Sequence, residues 1–184
     1  QALWRTDPTQ SGPAGCLGDI GTHAANLAEY ISGLKITELC AELTTFVEGR
    51  RLDDDANCML HFDNGAKGLL FASQVAIGKE NDLAISIHGT DGSLQWRQEE
   101  PNTLTVSRLG KPAELWTRGN EFVAEKSPAA ARATRIPFGH PEGFIEAFAN
   151  IYCNFADTLR ATKQGGKPDK LASDFPGIEE GISG

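Results

Sequence analysis

The sequence predicts an α+β fold: an open, mostly antiparallel β-sheet with helices packed on one face. Three observations carry this. Apolar residues recur at helical spacing in two long segments only, 16–32 and the stretch after 141. Between them, several short segments alternate with a period of two. Two pairs of those segments are joined by "DNG" (63–65) and "TDG" (90–92), the chemistry of tight turns between antiparallel neighbours. Strands in a run, with helices before and after, fit α+β better than a doubly wound parallel sheet.

In chain order, "ALWRT" (2–6) reads as a short strand, and Asp7, Pro8, Ser11, Gly12 and Pro13 form a loop. In the helix 16–32, Ile20, Ala24, Leu27 and Ile31 form a buried stripe, and Gly33 is its stop. The strand 35–47 puts Ile36, Glu38, Cys40 and Glu42 on one face and Thr37, Leu39, Ala41 and Leu43 on the other. Segments 56–62 and 66–77 make a hairpin about the first turn. Strands 83–89, 93–98, 103–109 and 113–118 follow, and 119–139 is an irregular surface stretch. A long helix begins near Pro141, with Phe144, Phe148, Ile151, Phe155 and Leu159 as its stripe, and ends at Gly165 and Gly166. Two amphipathic helices cover one sheet face. The other face, partly apolar through Leu39, Leu43, Leu69 and Phe71, is expected to meet another domain or another copy, as in a homodimer or homotetramer.

The chain's 184 residues suit one domain, and 40% hydrophobic with 23% charged residues is globular rather than disordered composition. A net charge of −8 and scattered Lys and Arg disfavour nucleic acid as a partner. No apolar run is long enough to span a membrane, and "QALWRTDP" is not a signal peptide. Cys16, Cys40, Cys58 and Cys153 fit no zinc spacing and read as reduced, mostly buried thiols of a cytoplasmic protein. The absence of a first Met and the patterned "FPGIEEGISG" at the end both read as a piece of a longer chain.

The chemistry concentrates in "GCLGDIGTHAANLAEY". Asp19 and His23, four apart on a helix, share a face with Asn26 and Tyr30, about 100° from the apolar stripe. A carboxylate one turn from an imidazole can orient it and stabilise its charged form, as a general base requires. On spacing alone, however, the pair reads first as a solvated helix face. A metal site would need further ligands, and none cluster in sequence. Gly12, Gly15, Gly18 and Gly21 permit close approach by a neighbouring backbone or a ligand. His140 lies near the N-cap of the last helix, facing a ligand or solvent. Arg5, between Trp4 and Asp7, reads at its plainest as half of a surface ion pair. His61 and His88, inside strands, read as structural.

"GPAGCLGDIGTHAANLAEYISG", the antiparallel run and "GHPEGFIEAFANIY" together resemble the C-terminal domain of the glucose–fructose oxidoreductase/inositol dehydrogenase/rhizopine-catabolism (Gfo/Idh/MocA) family, over nearly the whole chain. The resemblance implies residues 1–184 as the substrate-binding and oligomerisation domain of a two-domain oxidoreductase. An N-terminal Rossmann domain outside this chain would bind NAD or NADP and supply a catalytic lysine. It implies hydride transfer between the nicotinamide and a sugar, cyclitol or related polyol, with His23 as general acid/base and Asp19 as its carboxylate partner. Arg5, His140 and Asn26 become candidate substrate ligands, Asn26 standing where many relatives carry an acid. The chain alone is then expected neither to bind the cofactor well nor to turn over. The alternatives are a non-catalytic sheet-mediated binding or oligomerisation module, and a glycosidase offshoot that uses the nicotinamide transiently.

Overall fold

The computed structural model describes residues 3–183. Two compact units divide the chain near residue 85. In the first, a 3₁₀ turn (Leu3–Thr6) and a one-turn helix α1 (Pro8–Ser11) lead into a π-helical turn (Leu17–Gly21) and α2 (Thr22–Ser32). Three strands follow, β1 (Ile36–Thr44), β2 (Asp55–Phe62) and β3 (Lys67–Ser73), paired antiparallel in the order β1-β2-β3. A second sheet, β4 (Ala84–His88), β5 (Gly92–Arg97), β6 (Thr103–Arg108) and β7 (Glu114–Thr117), runs in chain order. The short helices α3 (Glu121–Lys126) and α4 (Pro128–Ala133), the long α5 (Phe144–Lys163) and α6 (Ile178–Ser183) complete the order. The α+β class and the antiparallel strands stand as the sequence predicts.

The core of the first unit shows why period two produces this hairpin. Ala56, Cys58 and Leu60 of β2 are buried with Leu70 and Ala72 of β3, while Asn57, Met59 and His61 point outward. Leu17, Ile20, Ala24 and Ala25 pack against this core from the helical side. Burial at about 25 cal/mol per Å² of apolar surface makes this the main adhesive between helix and sheet. Glu29, near the end of α2, accepts from the Ile36 amide (2.8 Å) and from Lys35 Nζ (2.9 Å), which ties the helix to the start of β1.

Several expectations are corrected. Residues 3–6 form a 3₁₀ turn, not a strand, because Asp7 folds the chain by capping α1 through the Thr9 amide at 3.0 Å (Ala2 lies outside the described residues). Ile31 is 48% exposed, so the buried stripe of α2 stops short of it. The set Leu39, Leu43, Leu69 and Phe71 does not share one face. Leu39 pairs with Leu60 and Leu43 with Ala56, which puts them on the helix side. The outer face instead carries Cys40, Met59 and Leu69 in register, with Phe71 beyond, and an exposed Glu38–His61 pair at 3.3 Å. Residues 119–139 include α3 and α4, the latter capped by Ser127, whose hydroxyl accepts from the Ala130 amide at 3.1 Å. The last helix starts at Phe144 rather than Pro141, because Glu146 folds back to accept from the Gly143 amide at 2.8 Å. Its aromatic stripe forms at the expected spacing yet stays exposed, from 73% at Phe144 to 42% at Leu159. All four cysteines are free, but only Cys16 and Cys58 are buried.

The two turns use glycine differently. Gly65 has φ +86°, as the first turn needs. Gly92 is instead required by proximity, since a Cβ there would lie 2.1 Å from the Ser107 carbonyl oxygen of β6.

The acidic run Asp53, Asp54 and Asp55 is buried, against the usual habit of carboxylates. Asp54, wholly inaccessible, accepts from the amides of Phe46 (2.8 Å) and Val47 (3.0 Å) and from Arg50 Nη1 (3.3 Å), closing the β1–β2 loop. Burial alone would raise its pKa, but these donors outweigh burial and hold it below the ordinary 3.8. A carboxyl with a depressed folded pKa stabilises the fold above its unfolded pKa and loses that contribution as pH falls through the folded value. Asp54→Asn should therefore cost about 1–3 kcal/mol at neutral pH in urea denaturation. Its stability should also fall less than the parent's between about pH 5 and pH 3.

Candidate active site

The helix bearing Asp19 and His23 starts at a carboxylate. Asp53, between β1 and β2, accepts from the Gly15 amide at Oδ1 (2.6 Å) and from the Leu17 amide at Oδ2 (2.8 Å), while its own carbonyl accepts from the Cys16 amide (2.9 Å). Three of the donors that a helix start leaves without partners are thereby satisfied, and a negative charge sits at the positive end of the helix dipole. Such contact requires glycine at 15, where a Cβ would lie 2.2 Å from the Asp53 carbonyl oxygen. Of the two readings of the glycines, Gly15 takes close backbone approach.

The first turn is π-helical, with the Thr22 amide donating to the Leu17 carbonyl five residues back. That widening sits in what the sequence presents as a uniform helix, and it carries Asp19. π-turns of this kind are frequent at functional sites.

Asp19 is held from two directions. Its Oδ2 accepts from Arg5 Nη1 (3.1 Å) and from Gln74 Nε2 (3.3 Å), Gln74 standing just past the end of β3. Arg5 in turn lies over the Trp4 ring, 5.4 Å from its centroid. Its partner is thus Asp19 across the fold, and its sequence neighbour Asp7 is used in capping α1. Asp19 remains 38% exposed at the side chain, and its Oδ1 accepts no hydrogen bond among the described residues. One turn on, His23 is exposed, and its imidazole likewise makes no hydrogen bond among the described residues. Asn26 and Tyr30 continue this exposed line along α2. Arg5, Asp19, His23 and Asn26 therefore belong to one unit, with the carboxylate committed to Arg5 and Gln74 and the imidazole open.

His140 belongs to the other unit, in the loop before α5. Its ring is exposed, with Nδ1 3.3 Å from the Phe138 carbonyl oxygen. Elsewhere in that unit a groove of about 280 Å³ runs between α4 and α5. Its polar groups answer one another: Arg132 bonds Asn154 and Asp157 (both 3.0 Å), and Arg135 bonds Asn150 (2.8 Å) and Cys153 Sγ (3.2 Å). Cys16 is no nucleophile: burial, and then the carboxylates of Asp53, Asp55 and Asp54, push its thiol up to about 11.

Two residues of this arrangement escape a sequence reading. Gln74 follows a strand and bears no motif. Asp53 stands in a run of three aspartates with no motif, although its place directly before a buried alternating strand is a usable signal.

The sequence of residues 1–95 matches the family model described as GFO/IDH/MocA C-terminal domain. An uncharacterized oxidoreductase of Bacillus subtilis, YfiI, is 33% identical over 183 residues, covering 98% of this chain and 46% of its own. The levoglucosan dehydrogenase of Pseudarthrobacter phenanthrenivorans is 31% identical over 134 residues, 60% of this chain and 34% of its own. The crystal structure of an inositol dehydrogenase homolog of Azotobacter vinelandii, complexed with NAD+, superposes with a TM-score of 0.88 at 35% identity, over 98% of this chain and 46% of that one. A second structure of an inositol dehydrogenase homolog from that organism holds NADH and myo-inositol, with a TM-score of 0.84 at 33% identity, over 98% of this chain and 48% of that one. The chain belongs to the GFO/IDH/MocA C-terminal domain family. It spans about half the length, or less, of the curated relatives it matches.

Gly15→Ala should destabilise the first unit by at least about 2 kcal/mol, since a backbone carbonyl cannot yield as a side chain would. The midpoint of urea denaturation measures it, and an unchanged midpoint would mean that the Asp53 contact does not hold the helix start.

Proposed function

We propose that this chain is the substrate-binding and catalytic-residue domain of an oxidoreductase that transfers hydride between a nicotinamide cofactor, NAD or NADP, and a sugar, cyclitol or related polyol. The observation that carries the reading is the Asp19 carboxylate, fixed by Arg5 and Gln74 one turn before an open His23 imidazole. Membership of the family supports it, as do the NAD+ in one Azotobacter structure, the NADH and myo-inositol in the other, and the substrate in the name of the Pseudarthrobacter relative.

The described residues do not fit a dinucleotide cradle. Every pairing whose register is described is antiparallel, and no glycine-rich turn joins a parallel strand to a helix. Cofactor binding is therefore assigned mainly to the remainder of the full-length protein, where the nicotinamide would supply the hydride acceptor. What these residues can do is the proton half of the chemistry. His23 takes the hydroxyl proton as the carbonyl forms and returns it in the reverse direction. Asp19, with Arg5 holding Oδ2, keeps Oδ1 as an acceptor for a substrate hydroxyl. Arg5 and Asn26 offer donors on the same side, and His140 is a further hydroxyl ligand. The outer face of β1–β3, with Cys40, Met59, Leu69 and Phe71, is the surface through which copies of the protein would form a homodimer or homotetramer.

The test is a screen of the full-length protein over inositols, pyranoses and levoglucosan with NAD+ and NADP+. Turnover of at least one polyol is expected, and none with either cofactor would overturn the reading. On the active substrate, His23→Ala should lower kcat by about 10²–10⁴ with cofactor affinity retained. A variant with near-normal kcat would remove His23 from the mechanism. Asp19→Asn should also reduce turnover.

A further inference from the structure

We propose that Arg118 is the positioning residue of His140, fixing the backbone of the 136–142 loop so that the imidazole is offered to a substrate hydroxyl. This rests on the reading above that His140 contacts the polyol.

Arg118 stands just past β7, with its side chain only 16% exposed. Its Nε donates to Asn102 Oδ1 (2.9 Å). Its Nη1 donates to the Ile136 carbonyl (2.9 Å) and reaches Glu142 Oε2 (3.2 Å). Its Nη2 donates to the Pro137 carbonyl (3.3 Å) and to the His140 carbonyl. A guanidinium has five N–H donors in a rigid plane, and here four of its hydrogen bonds go to Asn102, Ile136, Pro137 and His140 while Glu142 pairs with its charge. Three of the four acceptors are backbone carbonyls of one short loop, so the guanidinium is committed to the fold. The loop is pinned from its other side as well. Buried Glu142 accepts from the amides of Arg135 (2.7 Å) and Ile136 (2.6 Å) at Oε1. Asn102 brackets the Glu142 backbone, accepting from its amide (3.0 Å) and donating to its carbonyl (2.9 Å).

This network of buried and half-buried polar groups ends on a residue whose ring is outside. The Phe138 carbonyl can only accept, so His140 Nδ1 carries the hydrogen in that contact. In the neutral ring Nε2 then has its lone pair outward, the form that accepts a hydrogen bond from a hydroxyl. Arg118 thus fixes where the backbone of His140 lies, and the Phe138 carbonyl fixes which nitrogen faces out.

In the full-length protein, using the polyol it turns over fastest (myo-inositol as the first probe), Arg118→Gln should raise the KM for the polyol about tenfold or more. kcat and the KM for the cofactor should stay within about twofold, the signature of lost uniform binding. Arg118→Lys should not restore it, because three donors on a flexible stem cannot span the loop. His140→Ala should raise the same KM, and adding Arg118→Gln to it should do nothing more. If His140→Ala leaves the polyol KM unchanged, the reading of His140 as a ligand is wrong and the inference falls with it. If His140→Ala raises KM while Arg118→Gln does not, or if the two effects add, the positioning role is overturned and the ligand reading stands. If Arg118→Gln does not fold, Asn102→Ala, which removes three hydrogen bonds and leaves the Arg118–Glu142 pair, carries the same expectations and the same refutation.

Discussion

The side chain of Asp53 is the contact on which the candidate site depends. One carboxylate, placed between two strands, accepts the first free amides of the helix that bears Asp19 and His23. Its neighbour Asp54 closes the loop that carries it, and Asp55 begins the central strand of the sheet. Sheet and helix are thus joined by hydrogen bonds at one end and by the packing of Ile20, Ala24 and Ala25 along the other. Apolar contact alone would let α2 slide or rotate over the sheet, since burial has no direction. The amide–carboxylate bonds have direction, and they set the register of the helix.

That register decides what Asp19 meets. Carried by a π-turn, its carboxylate comes within reach of Arg5 from the start of the chain and of Gln74 from the end of β3. Three separate segments converge on one oxygen, which fixes the carboxylate without burying it. His23, one turn later, is left open. An acceptor held still beside a free imidazole suits proton transfer with a hydroxylated substrate better than it suits a helix merely facing water. The second unit repeats the device with opposite charge: half-buried Arg118 gathers loop carbonyls and leaves the His140 ring outside.

Much of this was legible in the sequence. Alternation in "ANCMLHF" and the "DNG" turn identify the central hairpin, because a half-buried strand leaves a period-two record and a tight turn needs particular residues. Asp19 and His23 were visible by spacing, and the family resemblance gave them roles that remain proposals. What was not legible depends on contacts between distant segments. Arg5 reads as the neighbour of Asp7 until the fold brings Asp19 to it, and Gln74 has no local signature at all. The set Leu39, Leu43, Leu69 and Phe71 mixes two faces because strand register is invisible until pairing is known. Pro141 looked like a first helical residue, yet Glu146 delays the helix to Phe144 by satisfying the Gly143 amide.

The most direct test of this account is amide hydrogen exchange on Asp53→Asn, which keeps the side chain's shape but removes its charge and one of its two acceptors. The amides of Gly15 and Leu17 should exchange faster than in the parent, while those of Cys58 and Leu70 in the paired strands keep their protection. Unchanged exchange at Gly15 and Leu17 would contradict the claim that Asp53 holds the helix on which the site is built.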